Sequence, residues 1–174
     1  LPQNLEIIAG TTDSNAAVIA TNPSIEEGVT VLGSTIVIKS FVKAPLFSPG
    51  VTNHLVGGKW ISGGASNAGG AVLKKFFSEK ELTELSRQIN PEKDSGLKLL
   101  PLPFKGERFP TNNPNLDPIL GPRPISDSLY LHGLFEGLAK IEAQGWQKLN
   151  LLGAKQPKKI ITIGGGAKNP QWRR

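Results

Sequence analysis

The chain has 174 residues and a formal net charge of +6, from 20 lysine and arginine residues against 14 aspartate and glutamate residues. It contains no cysteine, which excludes disulfide bonds and thiolate metal sites. No apolar run is long enough to span a membrane, and no basic stripe is interleaved with aromatic residues, so we expect neither membrane insertion nor nucleic-acid binding. The separated basic pairs are typical of a solvated surface, with a general attraction for phosphorylated small molecules as the alternative.

Apolar periodicity and turn residues predict the elements of the chain. Apolar positions three and four residues apart indicate helices, and β-branched runs between glycine or polar turns indicate strands. The predicted elements are a strand at 5–9, a helix at 15–20, a hairpin of runs 29–32 and 36–41, a second hairpin at 54–62, helices at 68–77, at 79–89 and from 126, and a strand at 160–163.

Capping residues set the predicted helix ends. Thr12 or Asp13 is the expected N-cap of the first helix, Ser78 caps the third, and the long fourth helix ends near Gly145 or at Gly153. Residues 90–124 are rich in proline, asparagine and glycine and predict a long irregular connection of the kind that is often functional. The order of elements has no internal repeat and indicates a mixed sheet with helices packed on it.

The last stretch is the most informative one. The β-branched run 160–163 breaks into Gly164, Gly165 and Gly166 and then into a predicted helix start. Glycine lets a ligand approach the backbone closely, and the N–H groups of a helix start favour anions. Neither the Rossmann pattern nor the P-loop pattern is present, so the turn by itself indicates only a candidate nucleotide site.

Two further turns have both a structural and a functional interpretation. Asp13, after the predicted strand, is either a helix cap or a general base that accepts a proton from a hydroxyl nucleophile. The turn Gly33-Ser34-Thr35 is either ordinary hairpin chemistry or a phosphate cradle of hydroxyl and N–H groups. The residues alone leave these alternatives open.

Other polar and glycine positions are predicted to be structural. Gly69 and Gly70 fall inside the predicted helix 68–77, where glycine is costly, so packing is their expected role; the pair at 63–64 is either packing or a backbone contact to a ligand. Glu107 and Arg108 are expected to form an ion pair that ties down the irregular connection.

The two histidines are predicted to be structural as well. His54 and His132 have no partners at metal-ligand spacing, and neither is expected to bind a metal.

Five motifs in one order are more specific than any of them alone. They are Gly-Thr-Thr-Asp-Ser-x-Ala-Ala from Gly10, Leu-Gly-Ser-Thr from Leu32, Ser-Gly-Gly-Ala-Ser-Asn-x-Gly-Gly from Ser62, Gly-Glu-Arg-Phe-Pro from Gly106 and Gly-Gly-Gly-Ala-Lys-Asn-Pro-x-Trp from Gly164. This order resembles the FGGY carbohydrate kinases, in particular the xylulokinase-like branch of plants and cyanobacteria that acts on D-ribulose or D-xylulose.

The resemblance implies an α/β fold, that of an actin-like (ribonuclease-H-like) ATPase lobe with a mixed sheet and packed helices. It places residues 1–174 in part of the C-terminal nucleotide-binding lobe, without the N-terminal sugar-binding lobe and the C-terminal tail. The absence of methionine agrees with a piece of a longer protein, which we expect to be inactive alone. The expected location is the cytoplasm, or the plastid stroma in a plant.

The resemblance also implies site residues, substrates and a metal. Asp13 would be the base that takes the proton from the sugar hydroxyl and contacts that substrate, and Mg²⁺ would be held through ATP and water rather than by the protein. ATP or ADP, a pentulose and the facing lobe are the implied partners. The implied nucleotide-binding residues are Gly10, Thr11, Gly33, Ser34, Thr35, Gly164, Gly165, Gly166, Ala167, Asn169 and Trp172.

One departure and two alternatives accompany this interpretation. Many family members have Gly-Thr-Ser where this chain has Gly33-Ser34-Thr35, which keeps both hydroxyl groups in swapped order. A non-catalytic member with a structural or regulatory role is the first alternative. Another ATPase of the actin-like superfold is the second, and the stretches around Gly63 and Glu107 argue against it.

Overall fold

The computed structural model describes residues 10–173, so the predicted strand at 5–9 lies outside the described residues. Five strands form one sheet, in the order β3-β4-β2-β1-β5. The strands are β1 (Glu27–Leu32), β2 (Ile36–Val42), β3 (Val51–Val56), β4 (Lys59–Ala65) and β5 (Lys159–Ile163). The helices are α1 (Asp13–Ala20), α2 (Gly70–Leu73), α3 (Glu79–Ser86), α4 (Asp127–Leu151) and a 3-10 helix (Gly165–Lys168).

The sheet is mixed, as the element order predicts. Strands β1 to β4 pair antiparallel with their neighbours, as the two predicted hairpins require, whereas β5 runs parallel to β1. The carboxyl ends of β1 and β5 therefore meet at one edge of the sheet, and the turns at 33–35 and 164–166 follow them there. The β3–β4 turn lies at the opposite edge.

The main core lies between the sheet and α4. Alternating residues of β1 and β2, including Leu32, Ile36 and Ile38, face this core together with the buried side of α4, as expected for strands with one face packed on helices. A smaller cluster on the other face joins Val18 of α1 to Val29 and Ile61. Val18 is thus the buried apolar residue by which α1 packs on the sheet.

Helix α4 is long because its start is capped and its buried face is continuous. The Ser126 hydroxyl accepts a hydrogen bond from the Leu129 N–H at 3.3 Å, which satisfies one of the free donors at a helix start. Three of its residues, Gly133, Gly137 and Gly145, lie where neighbouring segments touch the helix. A β-carbon at each would come within 2.6 to 2.8 Å of the nearest atom.

Helix α2 is much shorter than the predicted helix at 68–77. Gly69 precedes α2 with φ of 157°, so it lies outside the helix, contrary to prediction, although its predicted packing role holds. A β-carbon there would lie 2.6 Å from Ser34 O and from Thr35 Cα. The capping box of Ser78 and Glu81 then starts α3, which leaves room only for turns between the two helices.

Helix α1 begins two residues earlier than predicted. Of the two residues expected at the N-cap, Thr12 holds that position, although it makes no side-chain capping bond. Asp13 lies in the first turn, where its Oδ1 accepts the N–H of Ser14 at 2.7 Å. Its carboxylate is exposed and favourably placed at the positive end of the helix dipole.

No helix formed by residues 10–173 has the length and apolar character needed to cross a membrane.

Candidate functional site

A cavity of about 830 Å³ opens where β1 and β5 end. The turns at 33–35 and 164–166 form one side, and the exposed face of α3 forms the other. Its principal lining residues are Gly33, Ser34, Gly70, Lys74, Leu82, Thr83, Ser86, Arg87, Phe135, Gly165, Gly166, Lys168, Asn169, Gln171 and Trp172.

The 33–35 turn presents unused donors beside this cavity. Gly33 N donates to Thr35 O at 3.1 Å, which closes the turn. Among residues 10–173, the backbone N–H groups of Ser34 and Thr35 meet no acceptor within hydrogen-bond distance. The Ser34 side chain is exposed. Adjacent free N–H groups in a tight turn favour an anion such as phosphate.

The 164–166 turn is shaped by three glycines with different surroundings. Gly164 has φ of 91°, and a β-carbon there would lie 2.7 Å from Leu32 O. At Gly166 it would lie 2.5 Å from the Trp172 ring, whereas at Gly165 no atom comes within 4 Å. Gly164 and Gly166 therefore serve packing, and the open space beside Gly165 belongs to the cavity.

Asn169 and Trp172 hold this turn against its neighbours. The Asn169 side chain donates to Ser86 Oγ at 2.7 Å, and its Oδ1 accepts the N–H groups of Gln171 and Trp172 at 3.1 and 3.2 Å. Trp172 stacks on Phe135 with a centroid distance of 5.7 Å. It is buried, so it forms a wall of the cavity.

Helix α3 supplies lining residues that the sequence analysis missed. Positions 79, 82, 83 and 86 line the cavity and share one helix face because of their spacing by three and four residues. Only the polar character of this face was visible in the sequence, and polar faces are usually solvated. Arg87 and Lys168 add positive charge to the rim, whereas the Lys74 ammonium group is paired with the Glu79 carboxylate at 3.0 Å.

The remaining implied residues lie elsewhere. Gly10 and Thr11 border a second cavity of about 570 Å³, together with residues 54–57 next to the β3–β4 turn. Asp13 follows them at the start of α1. The described residues thus bring Gly33, Ser34, Gly165, Gly166, Asn169 and Trp172 to one cavity, with Thr35 and Ala167 in the adjoining turns, but they leave Asp13 near the opposite edge of the sheet.

A buried lysine influences the histidine that lines the second cavity. Lys39 on β2 is 4% exposed, and burial lowers the pKa of its ammonium group. Its Nζ approaches Thr52 Oγ1 at 3.4 Å. Burial, followed by the charge of Lys39, lowers the pKa of His54, so the neutral imidazole is favoured there. Asn15, which lines this cavity, is 1% exposed.

The predicted ion pair between Glu107 and Arg108 is wrong. Glu107 is buried, and its carboxylate accepts hydrogen bonds from Ser66 and from backbone N–H groups rather than pairing with the Arg108 side chain. His132 lies 3.4 Å from Glu136 on the next turn of α4, in keeping with its predicted structural role.

The main cavity gathers donors of the kind that bind phosphate groups. Among residues 10–173, no group of three or more histidine, aspartate and glutamate residues is arranged to hold a metal ion. Unused backbone donors, hydroxyl groups and basic side chains converge on the main cavity instead, and these are the groups that bind phosphates.

Comparison with solved structures identifies proteins with a similar fold. The chain matches xylulose kinase from Rhodospirillum rubrum with a TM-score of 0.75 and 22% identity, covering 99% of this chain and 37% of that one. It matches xylulose kinase from Bifidobacterium adolescentis with a TM-score of 0.74 and 23% identity, over 92% and 33%. Glycerol kinase from Plasmodium falciparum, solved with ADP, matches with a TM-score of 0.70 and 16% identity, over 92% and 35%.

These similarities establish the actin-like ATPase fold, and the chain spans about a third of the length of each of these proteins. Residues 28–174 match the model of the C-terminal domain of the FGGY family of carbohydrate kinases. The match begins next to the start of β1 and includes both turns of the main cavity. The chain therefore belongs to the FGGY family of carbohydrate kinases.

Proposed function

We propose that the intact protein uses ATP to phosphorylate a sugar hydroxyl, and that the sugar is a pentulose such as D-ribulose or D-xylulose. The proposal rests on one observation above all. Two turns with room for a ligand, at 33–35 and 164–166, border one cavity with a basic rim in a domain of this family. Phosphoryl transfer depends on holding and neutralising phosphates rather than on covalent chemistry by the protein.

Each part of the cavity has a place in this function. The free N–H groups of Ser34 and Thr35 bind phosphate oxygens, and Arg87 and Lys168 balance the charge of the nucleotide. The space beside Gly165 receives the nucleotide against the backbone. Mg²⁺, which neutralises the phosphates when bound, would be held through ATP and water.

Asp13 is the proposed general base. It takes the proton from the sugar hydroxyl as that oxygen attacks the γ-phosphorus, while the bond to the β-phosphate oxygen breaks and ADP leaves. This role requires Asp13 to face the phosphates. In this structure Asp13 directly follows the residues that border the second cavity, so the proposed role requires α1 to lie in a different position in the intact protein.

The test is sugar-dependent ADP release by the intact protein, measured with D-ribulose and D-xylulose. We expect turnover with one of them and a loss of about 10²- to 10⁴-fold in Asp13→Ala, typical of a missing general base. ATP affinity in that variant should stay unchanged. Near-normal turnover by Asp13→Ala would show that Asp13 is structural rather than the general base. Absence of turnover by the wild-type protein with any sugar would favour a non-catalytic family member.

Two subsidiary proposals follow the same interpretation. The 174 residues alone should release no ADP, because orientation by a facing lobe supplies much of the rate; turnover by this chain would contradict the two-lobe mechanism. We also propose a location in the cytoplasm, or in the plastid stroma for a plant protein, to be tested by imaging the tagged intact protein.

A further inference from the structure

Glu107 is a buried carboxylate surrounded by donors. It is 5% exposed. Its Oε1 accepts the backbone N–H of Asn67 at 2.8 Å, of Arg108 at 2.8 Å and of Phe109 at 3.3 Å, and its Oε2 accepts the Ser66 hydroxyl at 2.5 Å. A buried charge is costly unless it is hydrogen-bonded on this scale, so the carboxylate has one well-defined position.

The segment that Glu107 holds leads directly to the cavity. Ser66 Oγ also accepts the N–H of Ala68 at 2.9 Å, which fixes the chain between them. The carbonyl of Ala68 then accepts the N–H of Ile36 at 2.7 Å, just after the 33–35 turn. The anchored segment, residues 66–70, is thus attached to the turn as well as to Glu107.

The same segment also contacts the turn from behind. Gly70 N donates to Gly33 O at 2.8 Å, and Ala71 N donates to Ser34 O at 3.1 Å. Gly69 packs so closely that a β-carbon would lie 2.6 Å from Ser34 O. Two carbonyl groups of the turn, those of Gly33 and Ser34, are therefore engaged from behind by the end of the anchored segment and by the residue that follows it. The N–H groups of Ser34 and Thr35 are left for a ligand.

We propose that Glu107 is a positioning residue for phosphate binding: through residues 66–70 it holds the 33–35 turn in the geometry that binds the phosphates of the nucleotide. The carboxylate acts on the turn without touching the ligand. This inference rests on the proposed nucleotide function of the cavity and adds to it a residue outside the cavity. Glu107 should therefore affect the binding of the phosphates of the nucleotide but not the binding of its nucleoside part.

The experiment measures the affinity of the intact protein for ATP and for adenosine by calorimetry. Glu107→Gln keeps the Oε1 acceptor but removes the charge, and Glu107→Ala removes both. Losing hydrogen bonds to a charged group should weaken ATP binding by about 10-fold or more in Glu107→Ala and by a few-fold in Glu107→Gln. Adenosine affinity should change less than about twofold.

Glu136→Gln is the matched control. The Glu136 carboxylate also accepts a backbone N–H and a serine hydroxyl, both from Ser95, at 2.9 and 2.5 Å, but it anchors a different segment. Its substitution should leave the ratio of ATP to adenosine affinity unchanged. Ser66→Ala removes one link of the anchored segment and carries the test if Glu107→Ala does not fold.

The outcomes separate the inference from the proposed function. If the wild-type protein binds ATP no more tightly than adenosine, the turn does not bind phosphate and the proposed function of the cavity is wrong. If the wild-type protein prefers ATP but Glu107→Gln and Ser66→Ala keep that preference, or lose both affinities equally, the positioning role of Glu107 is wrong. A selective loss of ATP affinity in both variants supports it.

Discussion

Gly165→Val tests whether the nucleotide lies against the 164–166 turn. No atom comes within 4 Å of a β-carbon at Gly165, and its backbone is not in the left-handed region. The substitution should therefore change the free energy of unfolding by less than about 1 kcal/mol. The valine side chain would project into the cavity, so a ligand that needs this space must move away from the backbone.

The size of the effect follows from the contacts at risk. Displacing one hydrogen bond between the nucleotide and this backbone costs about 0.5–1.5 kcal/mol, which corresponds to a loss of ATP affinity of about 2- to 10-fold. Gly166→Ala is the informative control. A β-carbon there meets the Trp172 ring at 2.5 Å and Leu32 Cβ at 2.8 Å, so overpacking should cost about 1–3 kcal/mol of stability.

Calorimetry with ATP and urea denaturation of both variants separate the two effects. We expect Gly165→Val to bind ATP more weakly while keeping a normal free energy of unfolding. For Gly166→Ala we expect the main effect to be a lower free energy of unfolding. If Gly165→Val folds normally and binds ATP with an unchanged dissociation constant, the nucleotide lies elsewhere and the reasoning about this turn fails.

Two further predictions concern stability. Gly28→Ala should lower the free energy of unfolding by about 1–3 kcal/mol, because a β-carbon would overlap the Trp146 ring; an unchanged urea midpoint would contradict this packing. Lys39→Met should raise stability at pH 7 by on the order of 1 kcal/mol, since burial disfavours the ammonium group. Burial lowers the Lys39 pKa, so between its folded value and 10.5 the unfolded chain binds more protons. Wild-type stability should therefore rise with pH in that window, relative to Lys39→Met. Parallel curves of the free energy of unfolding against pH for the two proteins would refute the lowered pKa of Lys39.

Much of the sheet is predictable from the sequence because its signals are local. The β-branched runs of β1 and β5 end in glycine turns, and the run of β2 begins after the turn that ends β1. These turn residues set the strand ends and the pairing of the β1–β2 hairpin. Ser78 marks the start of α3 in the same way, through a capping box within four residues. Signals of this kind do not depend on the rest of the fold.

The differences arise where distant segments decide the structure. Helix α2 is short because Gly69 lies outside it, packed against the 33–35 turn, and because the Ser78 capping box starts α3 soon afterwards. The contact with the turn is not visible in a helical sequence pattern. Glu107 stands beside Arg108 in the sequence and suggests an ion pair. Its carboxylate instead binds donors including Asn67, 40 residues earlier in the chain.

In the candidate site, too, the residues in local motifs were predictable, whereas those positioned by the tertiary structure were not. The glycine motifs predicted the residues at 33–35 and 164–166 because close backbone approach requires glycine at defined positions. The contribution of α3 required knowledge of which helix face meets the cavity. The position of Asp13 depends on the direction of α1, and the sequence contains no local signal for that direction.

The glycines of α4 have a consequence for the order in which the chain folds. Each glycine weakens an isolated helix by roughly 1 kcal/mol relative to alanine, and Gly133, Gly137 and Gly145 all lie inside α4. A free peptide covering Asp127–Leu151 should therefore be only weakly helical. We expect α4 to form together with the docking of the sheet and of the connection before it. In the folding transition state, substitutions on its buried face should thus give fractional φ-values similar to those of β2.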